Sequence, residues 1–311
     1  MFLMDRKEFL KSLAAAGLAA TVMPYDELTL LAQSGQDGKP DMVAVLGGEP
    51  AAMFEKGIDA MGGISRYVSK GDRVVLKPNA AWDRVPEMAA NTNPELMSAI
   101  VEACFEGGAK EVLVFDHTCD NWKKSYENSG IERAVTDAGA KMIPADEEEY
   151  YREIDFPQGK VLKKAKVHKA ILDCDVWFNI PILKVHRGAK MTVAMKNLMG
   201  IVWNRQFFHR HDLSQAIADV NTLEKKPALN IVDAYRVMKS NGPRGLGEGD
   251  VALTKGLFIS SDPVAVDTAA TKFLGRVTKM TVEEVNHIAY ARDLGLGTTD
   301  LDSLSIERIK L

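Results

Sequence analysis

Asp175 to Gly200 reads DVWFNIPILKVHRGAKMTVAMKNLMG. Its first part, Asp175 to Leu183, is almost wholly apolar, as expected of a strand buried on both faces. The apolar run gives way to Lys184-Val185-His186. A loop containing Gly188 follows, and Met191 to Val202 then has amphipathic helix spacing, with Met191, Met195, Leu198 and Val202 as the core stripe. On that helix Thr192 and Lys196 are four apart and share a face. A buried strand, a polar turn and a helix make the unit of an α/β fold: a mainly parallel sheet with helices on both faces.

The unit recurs on either side. Upstream, Met42 to Leu46 ends at Gly47-Gly48, and Ala51 to Met61 has helical spacing before the stop signal Gly62-Gly63. Arg73 to Leu76 runs into Lys77-Pro78-Asn79, where the missing N–H of Pro78 ends the ladder. Asn93-Pro94-Glu95 is a helix start, with a cap, a proline at the first helical position and an acid. Glu111 to Phe115 delivers Asp116-His117-Thr118. Residues 160–173 alternate as hairpin strands. Downstream, Asn230 to Val232 ends at Asp233, and Gly256 to Ile259 ends at Ser260-Ser261-Asp262. Asp262-Pro263 opens a helix to Gly275, and Thr281 with Glu284 forms a capping box for a helix to Leu294. Gly242 to Gly249 is a glycine-rich loop.

Several strands thus end in polar or ionisable residues. In a parallel sheet such ends share one edge, and ligands bind beyond it. The convergence predicts a polar site of cations, carboxylates and imidazoles. His186, with His117, suits proton transfer, since imidazole titrates near working pH. Lys196 joins them as a catalytic candidate. Lys77, Asn79, Lys184, Thr192 and Asn197 are candidate ligand-binding residues, with loop amides and a helix start completing an anion cradle. Asp233, Asp262 and Asp267 are candidates to orient the bases or to hold a divalent metal ion such as Mg²⁺.

The 311 residues allow one α/β domain over 41–311, with room for two lobes. The net charge of −4 argues against nucleic acid as a partner. Cys104, Cys119 and Cys174 are scattered, which excludes a disulfide framework, a four-cysteine metal site and an internal iron–sulfur cluster. Residues 1–32 read as a signal peptide: Asp5-Arg6-Lys7-Glu8-Phe9-Leu10-Lys11 precedes the small-residue stretch Ser12 to Met23. That stretch is too short for a membrane span, which needs about 20 apolar residues. Its start resembles a twin-arginine export signal with Lys7 in place of the second arginine. Residues 33–40 form a linker. The expectation is an exported periplasmic or cell-envelope protein that passes the twin-arginine machinery and has no transmembrane segment.

Four ordered motifs carry a family resemblance. They are Lys77-Pro78-Asn79; Lys184-x-His186 with Lys196-Asn197-x-x-Gly200; Asn230-Ile231-Val232-Asp233-Ala234; and Ser261-Asp262-Pro263-Val264-Ala265-Val266-Asp267. Together they resemble the bacterial and archaeal family catalogued as domain of unknown function three hundred and sixty-two, across Met42 to Gly275. The resemblance implies a grouping and no reaction. A histidine, a glycine and then Thr-x-x-x-Lys after a strand end is also similar to the motif of the nickel-pincer lactate racemase family. That second resemblance implies His117 and His186 as acid/base partners, with Lys184 or Lys196 holding a cofactor or a substrate carboxylate.

The expected function is therefore an enzyme acting on a small anionic substrate. A ligand- or metal-binding protein without catalysis is a second reading. A third is an accessory protein to a redox system, docking through Trp203, Phe207 and Phe208.

Overall fold

The computed structural model describes residues 38–311, so the signal-peptide reading and most of the linker fall outside the described residues. The chain order opens with β1 (Met42–Leu46), α1 (Pro50–Ala60), β2 (Arg73–Pro78), α2 (Pro94–Glu106), β3 (Glu111–Val114), α3 (Trp122–Asn128), α4 (Ile131–Asp137) and β4 (Lys141–Met142). A hairpin of β5 (Tyr151–Asp155) and β6 (Lys164–His168) leads through α5 (Lys169–Asp173) to β7 (Val176–Ile180), β8 (Ile182–His186) and β9 (Lys190–Thr192). Three short helices follow: α6 (Ala194–Asn197), α7 (Gln206–Arg210) and α8 (Leu213–Val220). The chain closes with β10 (Leu229–Met238), β11 (Val251–Ser260), α9 (Pro263–Thr278), α10 (Asn286–Asp293) and β12 (Ile306–Lys310).

The sheet runs β12-β1-β11-β10-β7-β2-β3-β4, with β8 beside β10 and β9 beside β8. Neighbours from β10 to β4 along this path are parallel, while β11 is antiparallel to both β1 and β10. Alternation along each strand sorts side chains to two faces. Val74 and Leu76 join one core with Met53 and Phe54 of α1 and Leu96, Met97 and Ile100 of α2. Val75 faces the other core with Trp177, α9 (Val264, Phe273) and α8 (Ala216, Ile217). Each large side chain so buried contributes about 1.5–3 kcal/mol. The mainly parallel α/β architecture is the one the sequence implies.

Four local readings are corrected. The apolar run Asp175 to Leu183 is two strands, because Pro181 has no N–H to donate and divides β7 from β8. The expected helix Met191 to Val202 is shorter. Lys190 takes a left-handed φ of 67°, and Lys190–Thr192 turns back as β9 to pair antiparallel with β8. Thr192 is therefore on a strand and not on a helix face with Lys196. The hairpin lies at Tyr151–His168, not at 160–173. Finally, β10 extends to Met238, so Asp233 is inside a strand and not at its end.

The helix starts agree with the sequence. Asn93 caps α2, accepting from Glu95 and Leu96 N–H, and Thr281 N–H bonds the Glu284 carboxylate at 2.9 Å. There a short 3₁₀ turn precedes α10.

Candidate functional site

Beyond the carboxyl ends of β2, β3 and β8 lies a cavity of about 840 Å³. His117, His186, Lys184, Lys196, Thr192, Asn79 and Asn197 line it, so seven of the expected site residues meet in one place. Lys77 sits behind the wall, fully buried, in an ion pair of 2.8 Å with Asp116. Gly200 makes that pair possible: a Cβ there would stand 2.1 Å from Asp116 Oδ1 and 2.8 Å from Lys77 Nζ.

The charge of the cavity is lopsided. Its wall carries Arg84, Lys184, Arg187, Lys196, Arg205 and Arg244 against one carboxylate, Asp116, which already serves Lys77. Arg244 reaches outward to Asp120 at 3.2 Å. Lys184, Lys196 and Arg205 form no ion pair among the described residues, and the Lys196 ammonium forms no hydrogen bond there either. Lys184 is 1% exposed and donates to Asn79 Oδ1 at 3.1 Å and to the Ala90 carbonyl. Burial, and then the neighbouring Lys196 charge, pull its pKa down to about 7. Burial also pulls Lys196 down to about 8. Arg205 bonds the Thr118 carbonyl and the Cys119 Sγ, and its buried Nε has no partner.

A chain of amides fixes Lys184's surroundings. Asn79 Nδ2 donates to Asn197 Oδ1 at 3.0 Å, and Asn197 Nδ2 to Asn179 Oδ1 at 2.8 Å. Asn179 Nδ2 donates to Asn230 Oδ1, and Asn230 Nδ2 to the Ser260 carbonyl. Each amide's orientation is set by the next, so Asn79 must present its oxygen to Lys184.

The two imidazoles are held in complementary forms. His117 Nδ1 lies 3.0 Å from the Val202 carbonyl, so it carries the proton and Nε2 has the lone pair. His186 Nδ1 accepts from Gly188 N–H at 3.0 Å and Ala189 N–H at 3.1 Å, so its proton is on Nε2. Burial holds both neutral, with His117 down to about 4 and His186 to about 2. Trp203 stacks on His117 at 5.1 Å. Of the other two aromatics, Phe208 is fully buried and Phe207 is half-buried and stacks on His211. The arrangement can bind an anion and offer it one proton donor and one acceptor.

The proposed metal ligands are not brought together. Asp233 accepts from Asn93 N–H and Tyr235 N–H. Asp262 caps α9 through Val264 and Ala265 N–H and also holds Thr298 N–H. Because β11 runs antiparallel, its carboxyl end lies beside the start of β10, at the opposite edge from the cavity. Asp267 is fully buried and holds Ala194 and Met195 N–H, anchoring the segment that carries Lys196. Among the described residues no group of three His, Cys, Asp or Glu side chains stands where it could hold a metal ion. A hard cation needs oxygen ligands, and the cavity's one carboxylate is already paired, so these residues do not fit Mg²⁺.

Arg205, Arg84 and Arg244 are contributors that the sequence reading did not name. Arg205 follows the 3₁₀ turn Leu198–Ile201 and has no strand-end or spacing signal. Cys119, the one cysteine whose loop position beside His117 suggests chemistry, is exposed beside Arg205, and the loop Asn241 to Leu246 completes the wall. Only the loop's glycines hinted at it.

Comparisons with known proteins agree with this fold. The sequence model of a family described as Domain of unknown function (DUF362) matches residues 74–272. A thylakoid-associated protein of Synechocystis sp. is 26% identical over 226 residues, covering 70% of this chain and 67% of that one. The lactate racemase apoprotein from Thermoanaerobacterium thermosaccharolyticum superposes with a TM-score of 0.50 at 13% identity, over 79% of this chain. The match spans 60% of the racemase's length. That likeness is one of fold. Among the described residues no helix is long and apolar enough to cross a membrane.

Proposed function

The chain belongs to the family described as Domain of unknown function (DUF362), and from that premise we propose that its cavity takes a small carboxylate anion and moves a proton on it. The observation that carries this reading is the pair Lys196 and Arg205, cations without an ion pair among the described residues, beside two neutral imidazoles of opposite protonation. An uncompensated charge is costly to bury, and a bound carboxylate supplies the missing counter-charge. Lys196 and Arg205 hold the carboxylate, and Lys184, Thr192 and Asn79 face the rest of the ligand. His117 accepts a proton at Nε2, and His186 donates one from Nε2. A general acid or base of this kind contributes about 10²–10⁴-fold to a rate.

The test follows proton exchange. Small carboxylates are incubated with the protein in D₂O, and deuterium incorporation at carbon is read by NMR. Wild type should exchange at least one of them, and a folded H186A/K196A double variant should not. A double variant that exchanges as fast as wild type would sink the reading.

The N-terminal charge and small-residue pattern supports export. Fusing residues 1–40 to a reporter that folds before transport tests it, and a reporter retained in the cytoplasm contradicts it.

A further inference from the structure

We propose that Lys184 is an imine-forming amine, which condenses with the carbonyl carbon of a small 2-oxo acid. This rests on the carboxylate-binding reading and names the substrate class for that site.

The geometry around Nζ carries the argument. Lys184 has two partners, Asn79 Oδ1 and the Ala90 carbonyl, and both are neutral acceptors. An amine uses its two N–H bonds on these two acceptors and keeps its lone pair. A buried ammonium would instead add a positive charge next to Lys196, where the nearby carboxylate, Asp116, is already paired with Lys77. A lysine desolvated beside another cation is the usual setting of a nucleophilic amine. The amide chain from Asn79 to Ser260 maintains the arrangement, because a flipped Asn79 would turn its NH₂ toward Nζ and break the chain at Asn197.

A second observation points to a ligand at the same spot. Thr192 is the cross-strand partner of Lys184 in the β8–β9 pair. It is 2% exposed, lines the cavity, and its Oγ1 has no hydrogen-bond partner. Buried hydroxyls are nearly always satisfied. Cross-strand neighbours have Cβ atoms about 4.5–5.5 Å apart and leave the sheet on the same face, and this idle donor and Lys184 line the same cavity. His186, two residues on along β8, shares the strand face of Lys184.

The chemistry balances without a co-reactant. The Nζ lone pair bonds to the carbonyl carbon while the C=O π pair moves onto oxygen, where Thr192 Oγ1 donates to it. Both amine protons pass to that oxygen, relayed by imidazole. The oxygen departs as water with its bonding pair, and the nitrogen lone pair closes C=N. Lys196 and Arg205 keep the carboxylate in place throughout. The amine form of Lys184 grows as pH rises through about 7, while Lys196 loses charge above about 8. Condensation is therefore expected to be fastest between the two.

The experiment uses the full chain with pyruvate and sodium cyanoborohydride, read by intact mass and peptide mapping. Pyruvate and lactate binding are measured separately by calorimetry without reductant. The expected result is binding of both, and one reduced pyruvate adduct on Lys184. Lys184→Arg should remove the adduct, and Thr192→Val should slow its formation at least tenfold. Binding of both anions with no adduct, or with adducts scattered over surface lysines, overturns the imine and leaves the carboxylate reading standing. Binding of neither overturns both.

Discussion

Lys196 is the side chain on which most depends. It reaches the cavity from α6 without a partner, so its ammonium is free for a ligand. A hydrogen bond to a charged group is worth about 1.5–3 kcal/mol, so Lys196→Ala should weaken small-carboxylate affinity by at least tenfold, as calorimetry would show. The pH dependence has a definite sign. Anion binding needs the protonated form of Lys196, which burial holds near 8. Affinity should therefore be full below about pH 7 and fall as pH rises through 8. His117→Asn or His186→Asn should leave that affinity nearly intact and slow proton exchange by about 10²-fold or more. His186, Lys184 and Asn79 were legible in the sequence because each stands at or just after the end of an apolar run, where a parallel sheet gathers its polar residues. Arg205 was not, because a long side chain from an irregular segment reaches the site through tertiary placement alone.

At the scale of elements, two short connections set the site. Gly200 lets the 3₁₀ turn press against the Lys77–Asp116 pair, and Gly200→Ala would drive a methyl group into it. Disrupting a buried pair costs about 3–5 kcal/mol, so this variant should show a correspondingly lower denaturation midpoint. Asp262 does the opposite kind of work. As the N-cap of α9 on the far edge, Asp262→Ala should cost about 1 kcal/mol and leave ligand binding unchanged. Loss of binding in that variant would return Asp262 to the site. The cap itself was plain from Asp262-Pro263. The edge it occupies was not, since the direction of β11 depends on its pairing with β1 and β10 and on nothing within its own residues. The turn-back at Lys190 was hidden for the same reason: Met191 to Val202 has good helical spacing, and only the pairing of β9 with β8 overrides it.

On the scale of the whole molecule, an acidic chain of net charge −4 folds so that one sheet edge is strongly cationic. Alternating strands and helices announced the sheet, and the parallel pairs from β10 to β4 deliver the edge. The fold also buries two histidines that do not line the cavity. His168 and His287 are almost inaccessible, and burial lowers them to about 4 and about 3. Both must take up a proton near 6.5 on unfolding. Their contribution is therefore present above about pH 6.5 and is lost as pH falls toward 4. Among the described residues neither ring nitrogen of His287 has a hydrogen-bond partner, and its one ionic neighbour, the Asp267 carboxylate, stands 3.9 Å away, so His287→Leu should gain on wild type in denaturant melts as pH drops through that window. The measurement that bears most directly on the central claim is a calorimetric titration of the full chain with pyruvate at pH 6.5 and 8.5, wild type beside K196A. Saturable binding is expected at the lower pH, weaker at the higher, and at least tenfold weaker in the variant. A folded protein that binds no small carboxylate at either pH, or binds it equally well without Lys196, would contradict it.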